Sequence, residues 1–418
     1  MGCFSWVIMI KDIGSLAING GDKIRHRVMP PRQLFAEAEL AAVRSVFFDS
    51  WAEGQDFGYQ GKFENIYTQK FCEFQGGGYA DAVSSGTAAV YIALQALQLR
   101  PGSSIAISPV TDPGAVSPIV LQGFKPVIVD SCIDSFNIDP EQLENVLVGN
   151  NNISAVVITH VGGWPTDIQS ILAIAAKFDV HVIEDCSQSH GAMYERRRVG
   201  TFGNIAVFST MYSKIHATGG CGGLVYTQDK WLYDRIRSFA DRGKLFHLKG
   251  FDSRDPRTTE HAALNFNLDE LSCAIGASTL DRLESTINAR LVIAQKFDIA
   301  FEGSELVSPA HRLSTSSNVP AYYFYTARLD AAKLRTSKAE FCRAIEAEGI
   351  PLNAQYNYLA YEWPWLKPHL TQESSCSNAR KFRDITFNIP FHEKYTDDEV
   401  KDIRDAVMKV ESFFGSNS

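Results

Sequence analysis

The sequence predicts an α/β fold in which a mainly parallel sheet is covered by helices on both faces. Two observations carry this. Short, nearly unbroken Val/Ile runs recur in one half of the chain: IAIS (105–108), PVIVD (126–130), AVVITH (155–160), VHVIED (180–185) and IAVFS (205–209). Amphipathic stretches such as TAAVYIALQALQL (87–99) and DIQSILAIAAKF (167–178) lie between most of them. A strand that is apolar on both faces must be covered on both, and helical crossovers between successive strands make the sheet parallel.

Taken in order, residues 33–50 and 63–74 carry apolar residues at helical spacing ahead of the alternating region. After residue 225 the alternation fades. Residues 268–300 read as one long helix and AYYFYTARLD (321–330) as an aromatic-rich strand. SKAEFCRAIEAEG (337–349) reads as a helix ended by Gly349, and Thr396 as the N-cap of a last helix with acidic residues in its first turn. HRLSTSSNVP (311–320) is the most linker-like segment. The expected organisation is a large α/β domain over 1–290 and a smaller α+β domain over 291–418, with the N-terminal segment packing on the latter.

Length and composition bound the function. A chain of 418 residues with 45% hydrophobic and 21% charged residues is ordinary for a globular protein with a sizeable core. The formal net charge of −8 excludes a general affinity for nucleic acid, which demands a basic face. The eight cysteines are scattered and include no C-x-x-C pair, so reduced thiols are expected, with neither a disulfide framework nor a metal site. MGCFSWVIMIKDIG at the start has an apolar run too short to span a bilayer, no basic stretch before it and no cleavage site. Gly2 is not read as an acylation site, because Trp6 stands where Ser or Thr is needed. The expectation is a cytoplasmic protein without membrane partners.

Three stretches could carry chemistry. In VSSGTAAVYIAL (83–94) a strand ends in Ser-Ser-Gly-Thr and a helix starts at once. Free amides and the positive end of the helix dipole then face one point, which suits a phosphate. Gly86 lets the backbone come close and Thr87 adds a hydroxyl; the plain alternative is capping by Ser85. In VIEDCSQSHG (182–191), Asp185 ends a buried strand, where open parallel sheets bind ligands, and Gln188 follows at a spacing that can serve the same ligand. Its plain alternative is a turn cap. In FSTMYSKIHATGGCGG (208–223), Lys214 sits between a strand end and four glycines, with Ser209 just before it. Its plain alternative is a solvated surface lysine. Together, in this order, they match what pyridoxal phosphate requires. A phosphate cradle anchors it, a carboxylate keeps its ring nitrogen protonated, and a lysine amine bonds its aldehyde and moves protons.

Along nearly its whole length the chain resembles the DegT/DnrJ/StrS family of pyridoxal-phosphate-dependent sugar aminotransferases. The resemblance runs through LAINGG, VSSGTAAVYIALQAL, FNIDPEQLE, THVGGWPTDIQSI, VIEDCSQSHGAMY, VGTFGNIAVFSTMYSK, GGCGGLVYTQD, LNFNLDELSCAIGASTLDRLE, GIPLNAQYNY and FNIPFHEKYTDDEV. It implies a fold-type-I transferase: a large domain with a seven-stranded, mostly parallel sheet, a smaller C-terminal domain, and a homodimer with shared active sites. It puts Lys214 on the Schiff-base lysine, Asp185 on the partner of the pyridine nitrogen and Gln188 near the cofactor's O3′. Gly86, Thr87 and Ser209 match phosphate ligands, and Asn265 matches the asparagine reaching the phosphate from the other subunit.

The chain departs from the family pattern near the substrate. Thr111-Asp112-Pro113 stands where an aromatic residue usually stacks on the ring, Asn265-Phe266-Asn267 lacks the family's arginine, and Arg242 stands for a common histidine. Cys221 receives no role. The resemblance implies transfer of an amino group from glutamate or glutamine to a keto-sugar or related carbonyl: a nucleotide-linked keto-sugar, a keto-cyclitol or an oxidised sugar acid such as 8-oxo-octulosonate. Such reactions belong to amino-sugar, lipopolysaccharide or natural-product biosynthesis. Two alternatives remain open. One is a deoxysugar dehydratase, in which histidine replaces the lysine; His216 lies two positions from that slot. The other is a non-catalytic sensor.

Overall fold

The structure is a computed structural model describing residues 15–312, 317–356, 358–371 and 375–415. The N-terminal stretch MGCFSWVIMIKDIG and part of the linker-like HRLSTSSNVP lie outside the described residues. Two helices, α1 (Glu37–Glu53) and α2 (Lys62–Gln75), lead into β1 (Tyr79–Val83) and α3 (Gly86–Ala96). There follow β2 (Ser104–Ile107), α4 (Pro113–Leu121), β3 (Lys125–Ile128), α5 (Pro140–Gly149), β4 (Ile153–Thr159), α6 (Ile168–Lys177) and β5 (His181–Asp185). A small hairpin, β6 (Met193–Tyr194) with β7 (Arg197–Arg198), precedes β8 (Ile205–Ser209) and β9 (Gly223–Thr227).

The seven-stranded sheet has the order β1-β9-β8-β5-β4-β2-β3. Every pairing from β3 across to β8 is parallel, while β9 runs antiparallel to both β8 and β1. Each strand feeds two cores, because alternate side chains leave opposite faces. Val156, Ile158, Val182 and Phe208 join one apolar cluster with Tyr67 and Phe71, whereas Ala155, Val157, Ile183 and Val207 join the other with Val90 and Ile92 of α3. This is why the strands read as unbroken apolar runs.

Beyond the sheet lie α7 (Lys230–Ala240), α8 (Glu270–Leu280), α9 (Leu283–Ala300), β10 (Val307–Pro309), β11 (Tyr325–Leu329), α10 (Lys338–Ala347), α11 (Ser377–Asp384), β12 (Thr386–Ile389) and α12 (Asp397–Phe414). Strands β10, β11 and β12 form a small antiparallel sheet. A third core joins it to α9, α10 and α12, and Leu16 from the N-terminal segment is part of that core. Gly349 takes φ 92°, the left-handed conformation expected just past a helix end. Thr396 caps α12 and forms a capping box with Glu399.

Two elements differ from expectation. The long helix expected over 268–300 is two helices, broken at Arg282, whose backbone leaves the helical region (φ −111°, ψ 6°). Its guanidinium there reaches Glu39 and the Leu34 carbonyl. The strand expected over 321–330 is confined to Tyr325–Leu329. The preceding residues bond instead to a glycine turn, Ala321 N–H to the Gly163 carbonyl and Tyr323 N–H to the Gly162 carbonyl, both at 2.9 Å. Gly162 and Gly163 both have positive φ, which frees their carbonyls for these bonds.

Candidate active site

The sheet topology brings two of the three chemistry-bearing stretches together. Val83 pairs with Gly223, and Gly223 pairs with Ser209, so the end of β1, the end of β8 and the start of β9 converge. Directly after Val83 comes the turn into α3. Ser85 caps that helix, accepting from the Ala88 amide at 3.0 Å. The first ladder bond runs from Ala89 to the Ser85 carbonyl, which leaves the amides at Gly86 and Thr87 without a helical partner.

The backbone here is thinned for close approach. A Cβ on Gly86 would sit 2.7 Å from the Cβ of Ser209, and one on Gly223 would sit 2.5 Å from the Ser85 carbonyl oxygen. Ser209 in turn donates its amide to the Ser187 hydroxyl at 3.1 Å. Gly86 and Ser209 therefore face each other across a cradle of free amides and hydroxyls, with the donor chemistry of a phosphate site. Thr87 points from the same turn toward the start of α4, its hydroxyl being the atom nearest a Cβ built on Gly114.

Asp185 ends β5, beside β8. It is 4% exposed, and among the described residues the only hydrogen-bonding partner of its carboxylate is Ser187, whose amide donates to Oδ1 at 3.0 Å. Burial pushes its carboxyl above the usual range, only partly offset by Ser187 and by the charge of Lys214. A protonated heterocyclic nitrogen would supply the missing partner. Gln188 is held at both ends: Oε1 accepts from the Gly162 amide at 2.7 Å, and Nε2 donates to the Tyr356 hydroxyl at 3.0 Å.

Lys214 lies in a closed loop, tied by the bonds of Thr210 N–H to the Gly222 carbonyl and Thr218 N–H to the Thr210 carbonyl. Its Nζ stands 5.0 Å from the centroid of the Tyr323 ring, its charge is felt at Asp185 and His190, and its own carbonyl accepts from Arg32. His216 turns away from this amine. It bonds the Tyr67 hydroxyl at 2.7 Å and the Thr279 hydroxyl at 3.1 Å, and burial pushes its pKa down to about 3. The Cys221 side chain is exposed.

The residues fit pyridoxal phosphate: amides and hydroxyls for the phosphate, a buried, under-bonded carboxylate for the ring nitrogen, and an amine within electrostatic reach of that carboxylate. The model of the DegT/DnrJ/EryC1/StrS aminotransferase family matches residues 37–408. The chain belongs to this family. It is a pyridoxal-phosphate-dependent aminotransferase on the fold-type-I scaffold. It is similar to the spore coat polysaccharide biosynthesis protein SpsC of Bacillus subtilis, 28% identical over 90% of this chain and 95% of that one. It is 32% identical to GDP-perosamine synthase of Escherichia coli O157:H7 over 56% of this chain and 61% of that one. The X-ray structure of an aminotransferase from Psychrobacter cryohalolentis superposes with a TM-score of 0.85 at 28% identity, covering 92% of this chain and 99% of that chain.

In this aminotransferase the three departures acquire local reasons. Asp112 caps α4, accepting from the Gly114 amide at 2.8 Å, with Pro113 at the first helical position. Thr111 bonds Thr159 and donates its amide to the Tyr358 carbonyl at 3.1 Å, which draws Tyr356 and Tyr358 to this end of the sheet. Arg242 is taken up by Asp241 and the Tyr59 hydroxyl. Asn265 is not brought to the Gly86–Ser209 cradle of its own chain: its side-chain Oδ1 accepts from the backbone amide and the Nδ2 of Asn267. The neighbouring Phe266 carbonyl does accept from Ser84, at the start of the cradle.

Sequence reasoning missed Tyr323, Tyr356, Arg32, Glu393 and Arg290. Tyr356 and Glu393 lay within stretches that resemble the family, but nothing in their local spacing marks a role. A buried trio, His160, Glu184 and Cys186, also has metal-ligand chemistry. However, His160 accepts from the Thr166 amide at Nδ1 and meets Glu184 through Nε2, so neither ring nitrogen is spare.

Proposed function

We propose that this chain transfers the amino group of glutamate or glutamine to a keto-sugar or a related carbonyl compound, with Lys214 as the catalytic amine. The observation that carries the reading is the convergence of Gly86, Asp185, Ser209 and Lys214 around the ends of neighbouring strands. The cofactor, when bound, supplies an electron sink that lets the donor's Cα proton leave. Gly86, Thr87 and Ser209 hold its phosphate, and Asp185 holds the ring-nitrogen proton. Gln188, fixed at both ends, orients the ring's oxygen side. The amine of Lys214 takes the Cα proton and returns it on the other side of the reacting system, a role worth ~10²–10⁴-fold in rate.

The sugar substrate class rests on the resemblance to SpsC and GDP-perosamine synthase. Exposed aromatics on and beside α1, among them Phe48 (60%) and Trp51 (70%), support a homodimer that covers them and brings Asn265 to the partner's cradle. The division into domains at 1–290 and 291–418, and a cytoplasmic location, belong to the same reading. No helix among the described residues is long and apolar enough to cross a membrane.

The test is a two-stage assay. Holoprotein mixed with glutamate alone should release 2-oxoglutarate stoichiometrically with sites, and a keto-sugar added next should leave with the amino group. Release of ammonia with a deoxygenated sugar would instead support the dehydratase, a reading that the lysine at position 214 disfavours.

A further inference from the structure

Arg32 precedes α1, Arg290 lies on α9 and Glu393 follows β12, yet the three meet behind the active site. Arg32 Nε donates to Glu393 Oε1 at 2.9 Å, and Arg290 NH1 donates to Glu393 Oε2 at 3.0 Å. The remaining guanidinium nitrogens are spent on backbone carbonyls. Arg32 donates to the carbonyls of Lys214 (2.5 Å) and Ile215 (2.7 Å). Arg290 donates to those of Tyr322 (3.0 Å), Tyr323 (3.0 Å) and Phe391 (2.9 Å). The side chains are 17%, 4% and 11% exposed for Arg32, Arg290 and Glu393 respectively. One carboxylate thus joins two forks, one gripping the backbone that carries the amine and the other the backbone that carries the ring beneath it.

The geometry points to Arg32, Glu393 and Arg290 as positioning residues that set the Lys214 amine against the cofactor aldehyde. This rests on the reading of Lys214 above and goes beyond it. Two features separate the clamp from a generic ion pair. First, a buried pair adds little net stability by itself, whereas a fork on two successive carbonyls restricts the lysine's backbone directly. Secondly, removing Glu393 would leave two guanidiniums without a counter-charge, so the forks would re-orient rather than merely weaken. The network around Arg25 provides a contrast in the same molecule. Arg25 bonds Glu399 at 3.1 Å and Asp402 at 2.6 Å, also partly buried, and its other guanidinium bonds among the described residues go to the carbonyls of Arg27 and Val28, not to the Lys214 loop.

The test compares cofactor-free wild type, Glu393→Gln, Arg32→Met and the control Asp402→Asn on addition of pyridoxal phosphate. Non-covalent binding is read by quenching of tryptophan fluorescence. Covalent capture, in which the Lys214 nitrogen bonds the aldehyde carbon and water leaves, is read as the visible band and fixed by borohydride. Positioning predicts a capture rate at least tenfold slower in both clamp variants, with non-covalent affinity within threefold and Asp402→Asn unchanged. Hydrogen exchange of the peptide around 211–218 should quicken in the clamp variants alone. Two outcomes overturn the proposal: capture at the wild-type rate in both clamp variants, or capture and affinity falling together in step with thermal stability. Should the wild-type adduct map to another lysine, the Lys214 reading falls, and the clamp falls with it.

Discussion

Glu184 and Asp185 are neighbours on β5, both buried, and they face opposite sides of the sheet. Glu184 is saturated. It accepts from Gly200, Phe202, Gly203 and His160, at 2.7, 2.8, 2.7 and 3.2 Å. Burial works against its charge, but these bonds outweigh it and its carboxyl titrates below the usual range. The Asp185 carboxylate has Ser187 alone among the described residues, and burial leaves it above the usual range. The difference separates a carboxylate that holds the fold from one kept under-bonded for a ligand. A buried carboxylate with so few donors is suited to accept another from a ligand.

The sharpest way to break this contrast is to neutralise each carboxylate. Asp185→Asn should slow amino transfer by roughly 10²–10⁴-fold, while the cofactor-free protein melts no lower than wild type, because an amide replaces a poorly compensated buried charge. Steady-state kinetics beside a melting curve would show this; a large loss of stability would contradict it. Glu184→Gln should do the reverse. It should lose about 3 kcal/mol of stability by breaking a buried, fully bonded pair, yet bind cofactor normally in the folded fraction, as denaturant unfolding and titration would report.

A smaller effect is expected at the cradle. Gly86→Ala puts a Cβ 2.7 Å from the Cβ of Ser209, and one of the two must give way. Overpacking of this kind costs about 1–3 kcal/mol, so cofactor affinity should weaken by about tenfold. An unchanged affinity would show that the gap is not needed. A pH-dependent effect concerns His216, whose folded-state pKa is pushed by burial to about 3 against about 6.5 unfolded. Between those values the unfolded chain binds the extra proton, so stability is lost as pH falls through the window, by up to about 1.4 kcal/mol per unit. His216→Gln should therefore show a shallower fall in melting temperature between about pH 6 and pH 4; parallel curves would contradict the assignment.

Much of the scaffold was legible because it is written locally. The Val/Ile runs of β2, β4, β5 and β8 match buried strands to within a residue or two, and Thr396 and Gly349 punctuate their helices through backbone chemistry that depends on few neighbours. The cradle was legible for the same reason, since Ser85, Gly86 and the start of α3 are contiguous. What stayed hidden is tertiary. The break at Arg282 answers to Glu39 and Leu34, far away in sequence, and Ala321 and Tyr323 are held out of the strand by the carbonyls of Gly163 and Gly162 respectively. The clamp draws Arg32, Arg290 and Glu393 from three separate regions, so no spacing in the chain announces it. Asn265 exposes a different limit, because its expected role needs a second subunit.

The central claim is that Lys214 is the amine that bonds the cofactor, next to Asp185. The direct measurement is borohydride reduction of protein loaded with pyridoxal phosphate, followed by mass mapping of its peptides. The predicted result is a single stable adduct on Lys214, lost in Lys214→Ala. An adduct on any other lysine, or none in protein shown to bind the cofactor, would contradict it.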